Sequence, residues 1–110
     1  MSAGDVVLVA GTDCPPETEE EFIKWYDEVH IPAILSFRGT TEVTRYRIVT
    51  ENKEYPRHLV TYRINKKDFE DWLKSPESAA SRSSSKEAVD KFGFLMKWGV
   101  RYQVIKEWKK

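Results

Sequence analysis

The stretch from Glu19 to Phe37, EEEFIKWYDEVHIPAILSF, constrains the chain most, because it is the longest segment with helical periodicity. At about 100° per residue, Phe22, Tyr26, Val29, Ala33 and Phe37 share one stripe. Trp25 lies on one flank of it, and Ile23, His30 and Ile34 lie on the other. A helix with one broad apolar face must cover something, and a sheet is the expected floor. Thr18 and Glu21 have the spacing of a capping box. Glu19, Glu20 and Glu21 bring negative charge to the positive end of the helix dipole. Pro32 has no N–H for the carbonyl of Glu28 and disfavours helical geometry at Ile31, so the helix should kink or restart near His30. Gly39 is expected as its C-cap.

At 110 residues the chain is expected to form a single domain, 1–110. Lysine plus arginine and aspartate plus glutamate balance at 18 each, which speaks against nucleic acid as a partner. It also removes a solubility device, as suits an oligomer that hides apolar surface. The lone Cys14 permits no intrachain disulfide and fits a reducing compartment. The first residues carry no basic signal region and their apolar run is too short to span a membrane, so the cytoplasm is the default location.

Around the central helix the pattern alternates. Asp5 to Gly11 reads as a central strand buried on both faces. Thr40–Thr50 and Arg57–Ile64 read as a hairpin closed by a polar turn. On it Thr44, Tyr46 and Ile48 oppose Val43, Arg45, Arg47 and Val49, and His58, Val60, Tyr62 and Ile64 oppose Leu59, Thr61 and Arg63. Asn65 caps a short helix through Leu73. Ser75-Pro76-Glu77 marks another helix start. Ser78–Ser85, SAASRSSS, is compositionally biased and reads as a mobile or weakly helical connection, with a plain surface loop preferred to a lid. A helix then resumes from Lys86 to Phe92 and stops at Gly93. Phe94 to Trp108 reads as a long last strand, with Met96, Trp98, Val100 and Tyr102 on one face and Lys97, Gly99 and Arg101 on the other.

The order β-α-β-β-α-β predicts an α+β, ferredoxin-like fold: a four-stranded antiparallel sheet with helices on one face. Its second face would carry either Tyr46, Tyr62, Trp98 and Tyr102 or Arg45, Arg47, Arg63 and Arg101. A second copy covering that face predicts a homodimer packed sheet to sheet.

The run Tyr26-Asp27-Glu28-Val29-His30-Ile31-Pro32, followed by Phe37-Arg38-Gly39 and Thr44-Arg45-Tyr46, resembles the dimeric α+β barrel superfamily, most closely its EthD-like branch. It matches a Tyr-x-x-x-His-x-Pro helix, a glycine turn and an Arg-Tyr strand. Arg38 stands where proline often precedes the turn. The resemblance implies a small enzyme working without cofactor on a hydrophobic, aromatic or polyketide-like, enolisable molecule, in the manner of a monooxygenase, cyclase or isomerase. The alternative is a non-catalytic small-molecule-binding or stress-associated homodimer. By motif position only His30 and Tyr26 carry over as catalytic residues. His58 has no motif position.

His30 and Tyr26 lie one helical turn apart, where an imidazole can act as base and a phenol can steady an oxyanion. The structural alternative is a histidine bonded to a backbone carbonyl. Trp25, Tyr46, Tyr62, Trp72, Trp98 and Tyr102 are candidates to line an aromatic ligand's pocket, or else core. Arg45, Arg47, Arg57, Arg63 and Arg101 could hold a carboxylate or enolate, or pair with acids across a dimer. Two distant histidines and one cysteine give no metal-ligand spacing, and nothing selects haem. Cys14 reads as an unreactive loop thiol.

Overall fold

The computed structural model describes residues 4–110. Four strands, β1 (Val6–Asp13), β2 (Thr40–Arg47), β3 (His58–Ile64) and β4 (Leu95–Gln103), form one antiparallel sheet in the order β2-β3-β1-β4. The helices are α1 (Glu19–Trp25), α2 (Ile31–Leu35), α3 (Phe69–Lys74) and α4 (Pro76–Phe92). They cover the face that presents Ala10, Val60, Tyr62 and Ile64, and the core lies between the two layers. This is the ferredoxin-like arrangement that the alternation of elements predicts.

Between α1 and α2 the chain makes one π-helical turn, Tyr26–His30, in which the N–H of Ile31 donates to the carbonyl of Tyr26. A proline at position 32 would clash with the carbonyl of Glu28 in a regular α-helix, and the wider turn accommodates it. The extra residue also rotates α2 relative to α1. The buried stripe leaves the α-helical sequence and passes from Tyr26 to His30 and Ile34, while Val29 is exposed. His30 therefore sits at the centre of the buried face and not on its flank.

The ends of this unit differ from expectation. Thr18 makes no capping bond; its hydroxyl donates to the carbonyl of Phe92 at 2.7 Å and so ties the start of α1 to the end of α4. The helix stops at Leu35, before Gly39. Gly39 is needed for space: a Cβ there would lie 2.5 Å from Cβ of Asp68 and 2.8 Å from the Phe37 ring.

The serine-rich segment is helical and not a loop. Ser75 accepts from the N–H of Ser78 at 3.0 Å, Pro76 opens the first turn, and α4 runs unbroken to the left-handed Gly93, φ 75°.

Two strand readings also change. Within one chain the open face of β1 is half-buried at Val7 and Val9. In β4 the pairing with β1 shifts between Gly11 and Thr12, so Met96 joins Gly99 and Arg101 on the helix side, while Trp98, Val100 and Tyr102 stay on the open side. β4 ends at Gln103, although Val104 still exchanges backbone bonds with Gly4 and Asp5.

Candidate functional site

A cleft of about 810 Å³ opens between the sheet and the helices, over β1 and β4. Its floor is Leu8, Ala10 and Tyr62; its walls are Tyr26, His30 and Ile34 from the π turn and α2, and Ser81, Arg82 and Ser85 from α4. Met96, Gly99 and Arg101 form its β4 side. That volume is ample for a drug-sized molecule, and the lining is mainly apolar with a few convergent polar groups.

His30 is 4 % exposed. Its ring stacks on Trp25, with centroids 4.5 Å apart and planes at 23°, and meets the edge of Tyr26 at 5.4 Å. Its Nδ1 is buried without a hydrogen-bond partner. The backbone carbonyl expected to hold the ring at this nitrogen is not there. Burial lowers the imidazole pKa to about 4, so the ring is neutral at pH 7.

The hydroxyl of Tyr26 donates to Oγ1 of Thr12 at 3.1 Å and also interacts with the hydroxyl of Tyr62. Burial raises the Tyr26 pKa to about 12 and pushes Tyr62 up as well. Both phenols therefore stay protonated and able to donate.

Of the other aromatic candidates, Trp25 backs His30 and donates from Nε1 to Oγ of Ser84 at 2.9 Å. Trp72 packs on Phe37 in the core, away from the cleft. Tyr46 and Trp98 border a shallow hollow on the open sheet face, and Tyr102 is exposed on the same face. The set Tyr46, Tyr62, Trp98 and Tyr102 is thus split between the two faces: pairing of Val43 with Tyr62, and of Tyr46 with Leu59, fixes the division.

Arg45 pairs with Asp27 at 3.1 Å, Arg47 with Glu19 at 3.1 Å, Arg57 with Asp13 at 2.7 Å and Arg63 with Asp5 at 3.0 Å, all within the chain. Arg82 has no place among the sequence candidates because the serine run around it reads as a connection. The Ser75-Pro76 start and the Gly93 stop frame that run as one helix, and this is the available signal.

His58 is buried beside the core, 4.7 Å from the Phe22 ring and 3.5 Å from Oε2 of Glu19, outside the cleft. Burial lowers its pKa and Glu19 partly offsets the effect. Burial raises the pKa of Cys14, so its thiol stays protonated. Among the described residues, no group of three or more His, Cys, Asp or Glu side chains could hold a metal ion.

A neutral buried imidazole is also a stability statement. The folded pKa of His30, about 4, lies below the ordinary 6.5. The unfolded chain therefore takes up the proton first, and stability falls as pH drops from 6.5 towards 4, by on the order of 3 kcal/mol at the end of that window. Urea midpoints measured across it for the wild type and His30→Gln are expected to converge at low pH. Parallel pH dependence in the two proteins would refute the assignment.

No curated protein matches the chain. Solved structures do match, over nearly its full length. An ethyl tert-butyl ether D (EthD) family protein from Bacillus halodurans superposes with a TM-score of 0.64 at 17% identity, covering 92% of this chain and 99% of that one. A dimeric ferredoxin-like protein of unknown function from Thermobifida fusca gives 0.62 at 11% identity, covering 94% of each chain. A provisionally assigned antibiotic biosynthesis monooxygenase from Bordetella bronchiseptica gives 0.65 at 18% identity, covering 94% of this chain and 99% of that one. At such identities the likeness is one of fold, and the fold is ferredoxin-like and EthD-like. None of the described helices is long and apolar enough to cross a membrane. In sequence, residues 7–98 match one family profile, and the chain belongs to that family, described as Domain of unknown function (DUF4286).

Proposed function

We propose that the cleft at His30 is the site of a small cofactor-independent enzyme acting on a hydrophobic, aromatic or polyketide-like, enolisable molecule. The observation that carries this reading is a buried, neutral imidazole that lines a cleft and has no partner on Nδ1. His30 takes the α-proton of a bound ketone, whose C–H electron pair becomes the enolate, or the hydroxyl proton of a bound phenol, whose O–H electron pair stays on oxygen as the phenolate. Tyr26, protonated, turns its single O–H from Thr12 to the oxyanion. Reprotonation elsewhere gives an isomerase. Attack on an internal carbonyl gives a cyclase, and transfer of electrons to dioxygen as co-substrate gives a monooxygenase. The Bordetella bronchiseptica protein described as an antibiotic biosynthesis monooxygenase supports the last of these.

One observation favours a second reading. A base of pKa about 4 is poorly matched to proton abstraction at pH 7. A non-catalytic binding protein would need only the cleft. Titration with 2-acetyl-1-naphthol in D₂O separates the two. Perturbed Trp25 and His30 resonances with deuterium entering the acetyl methyl group support the enzyme. Perturbation without exchange supports the binding protein, and neither effect removes both.

The same proposal includes a homodimer formed through the open sheet face. Tyr46, Trp98 and Tyr102 are 47%, 41% and 62% exposed there, and the Thermobifida fusca relative is described as dimeric. The buried area should exceed about 1,000 Å². Trp98→Glu combined with Tyr102→Glu is expected to sediment as a monomer at micromolar concentration, where the wild type sediments as a dimer. A monomeric wild type would end this part of the proposal.

A further inference from the structure

Five of the seven arginines, Arg38, Arg45, Arg47, Arg57 and Arg63, have a carboxylate within ion-pair distance. Arg82 and Arg101 have none among the described residues, although acidic and basic residues are equal in number. Both line the same cleft, and no aspartate or glutamate lines it with them.

Each is steadied by a neutral group. Nη1 of Arg82 donates to Oγ of Ser78 at 2.7 Å, one helical turn back on α4. The guanidinium of Arg101 lies over the ring of Phe69, 5.9 Å from its centroid. A guanidinium has five N–H donors in a fork that fits a carboxylate, and these contacts leave most of them unused. Pairing with Leu8 puts Arg101 on the cleft side, and α4 brings Arg82 to it with Ser81 and Ser85.

We infer that the cleft selects an anionic amphiphile: a molecule with a flat apolar body against Leu8, Ile34 and Tyr62 and a carboxylate held by Arg82 and Arg101. The inference rests on the reading of the cleft as a small-molecule site, but not on catalysis. A bound carboxylate also supplies negative charge in the cleft that holds His30, which favours the protonated imidazole and makes it a stronger base.

The test uses two probes of nearly equal shape, 1-hydroxy-2-naphthoate and its primary amide, with binding to the wild type followed by tryptophan fluorescence and calorimetry. The carboxylate should bind at least about tenfold more tightly at low salt, with the advantage shrinking towards 1 M salt. Arg82→Gln and Arg101→Gln should each remove most of that advantage, weakening the carboxylate far more than the amide. Arg101→Glu should reverse the preference. Equal affinity of the two probes for the wild type would overturn the inference and leave the small-molecule reading standing. Binding of neither probe would overturn both. Variants that change the sedimentation of the protein but not the carboxylate preference would assign these arginines to an interface and overturn the inference too.

Discussion

His30→Gln is expected to slow any proton transfer in the cleft by about 10²–10⁴-fold, the usual contribution of a positioned general base. Glutamine approximates the shape of the ring and keeps polar atoms near its nitrogens, but it cannot carry a proton between reactants. The expected loss is in kcat, with substrate affinity little changed, because the apolar body of the ligand rests on Leu8, Ile34 and Tyr62. Tyr26→Phe should cost less, since Tyr62 lies beside it as a second protonated hydroxyl. Deuterium incorporation into a bound enolisable ketone measures both. An exchange rate in His30→Gln within a factor of about three of the wild type would remove His30 from the chemistry.

Phe22→Ala is expected to destabilise the fold by about 3–5 kcal/mol, the range for truncating a fully buried phenylalanine. Phe22 is wholly buried and its ring touches four others: Tyr26 at 5.0 Å, His58 at 4.7 Å, Phe94 at 6.0 Å and Phe92 at 6.4 Å. It therefore joins α1 to β3 and to the end of α4. A domain of this size has roughly 5–15 kcal/mol in total, so the variant should lose a large share of its stability. Phe22→Leu keeps most of the volume and should lose much less. Urea denaturation with an unchanged m-value reads both. A loss below about 1.5 kcal/mol for the alanine variant would mean that the surrounding rings collapse into the space.

What can be read from the sequence divides along a physical line. The element order comes from periodicity and punctuation, and these are local. Asn65 and Ser75 cap the helices they precede, and Gly93 ends α4 in the left-handed region. Tyr26 and His30 fall in the cleft together because both belong to one short helical unit. Expectation and structure part where one residue changes the count. The π turn moves burial from Val29 to His30, and the β4 shift moves Met96 to the helix side. Face assignments made from an unbroken period cannot survive such insertions. Arg82 escapes the sequence for a different reason. Serine has modest helix propensity, and tertiary contacts of α4, with Trp25 bonded to Ser84, outweigh it. Arg45, Arg47, Arg57 and Arg63 could pass in sequence for ligand or dimer contacts because their partners, Asp27, Glu19, Asp13 and Asp5, come from distant parts of the chain.

The π turn has a genetic consequence. It places His30 in the core by holding one residue more than an α-helix needs between Tyr26 and Ile31. A single-codon deletion there would turn the preceding and following helical segments by about a quarter-turn relative to each other, swinging the imidazole off the cleft while leaving the sheet and α4 intact. The histidine's place in the cleft can therefore be gained or lost by an insertion or deletion of one amino acid. Relatives with the same sheet and a helix one residue shorter at this point would be expected to have kept the fold and given up the cleft's histidine.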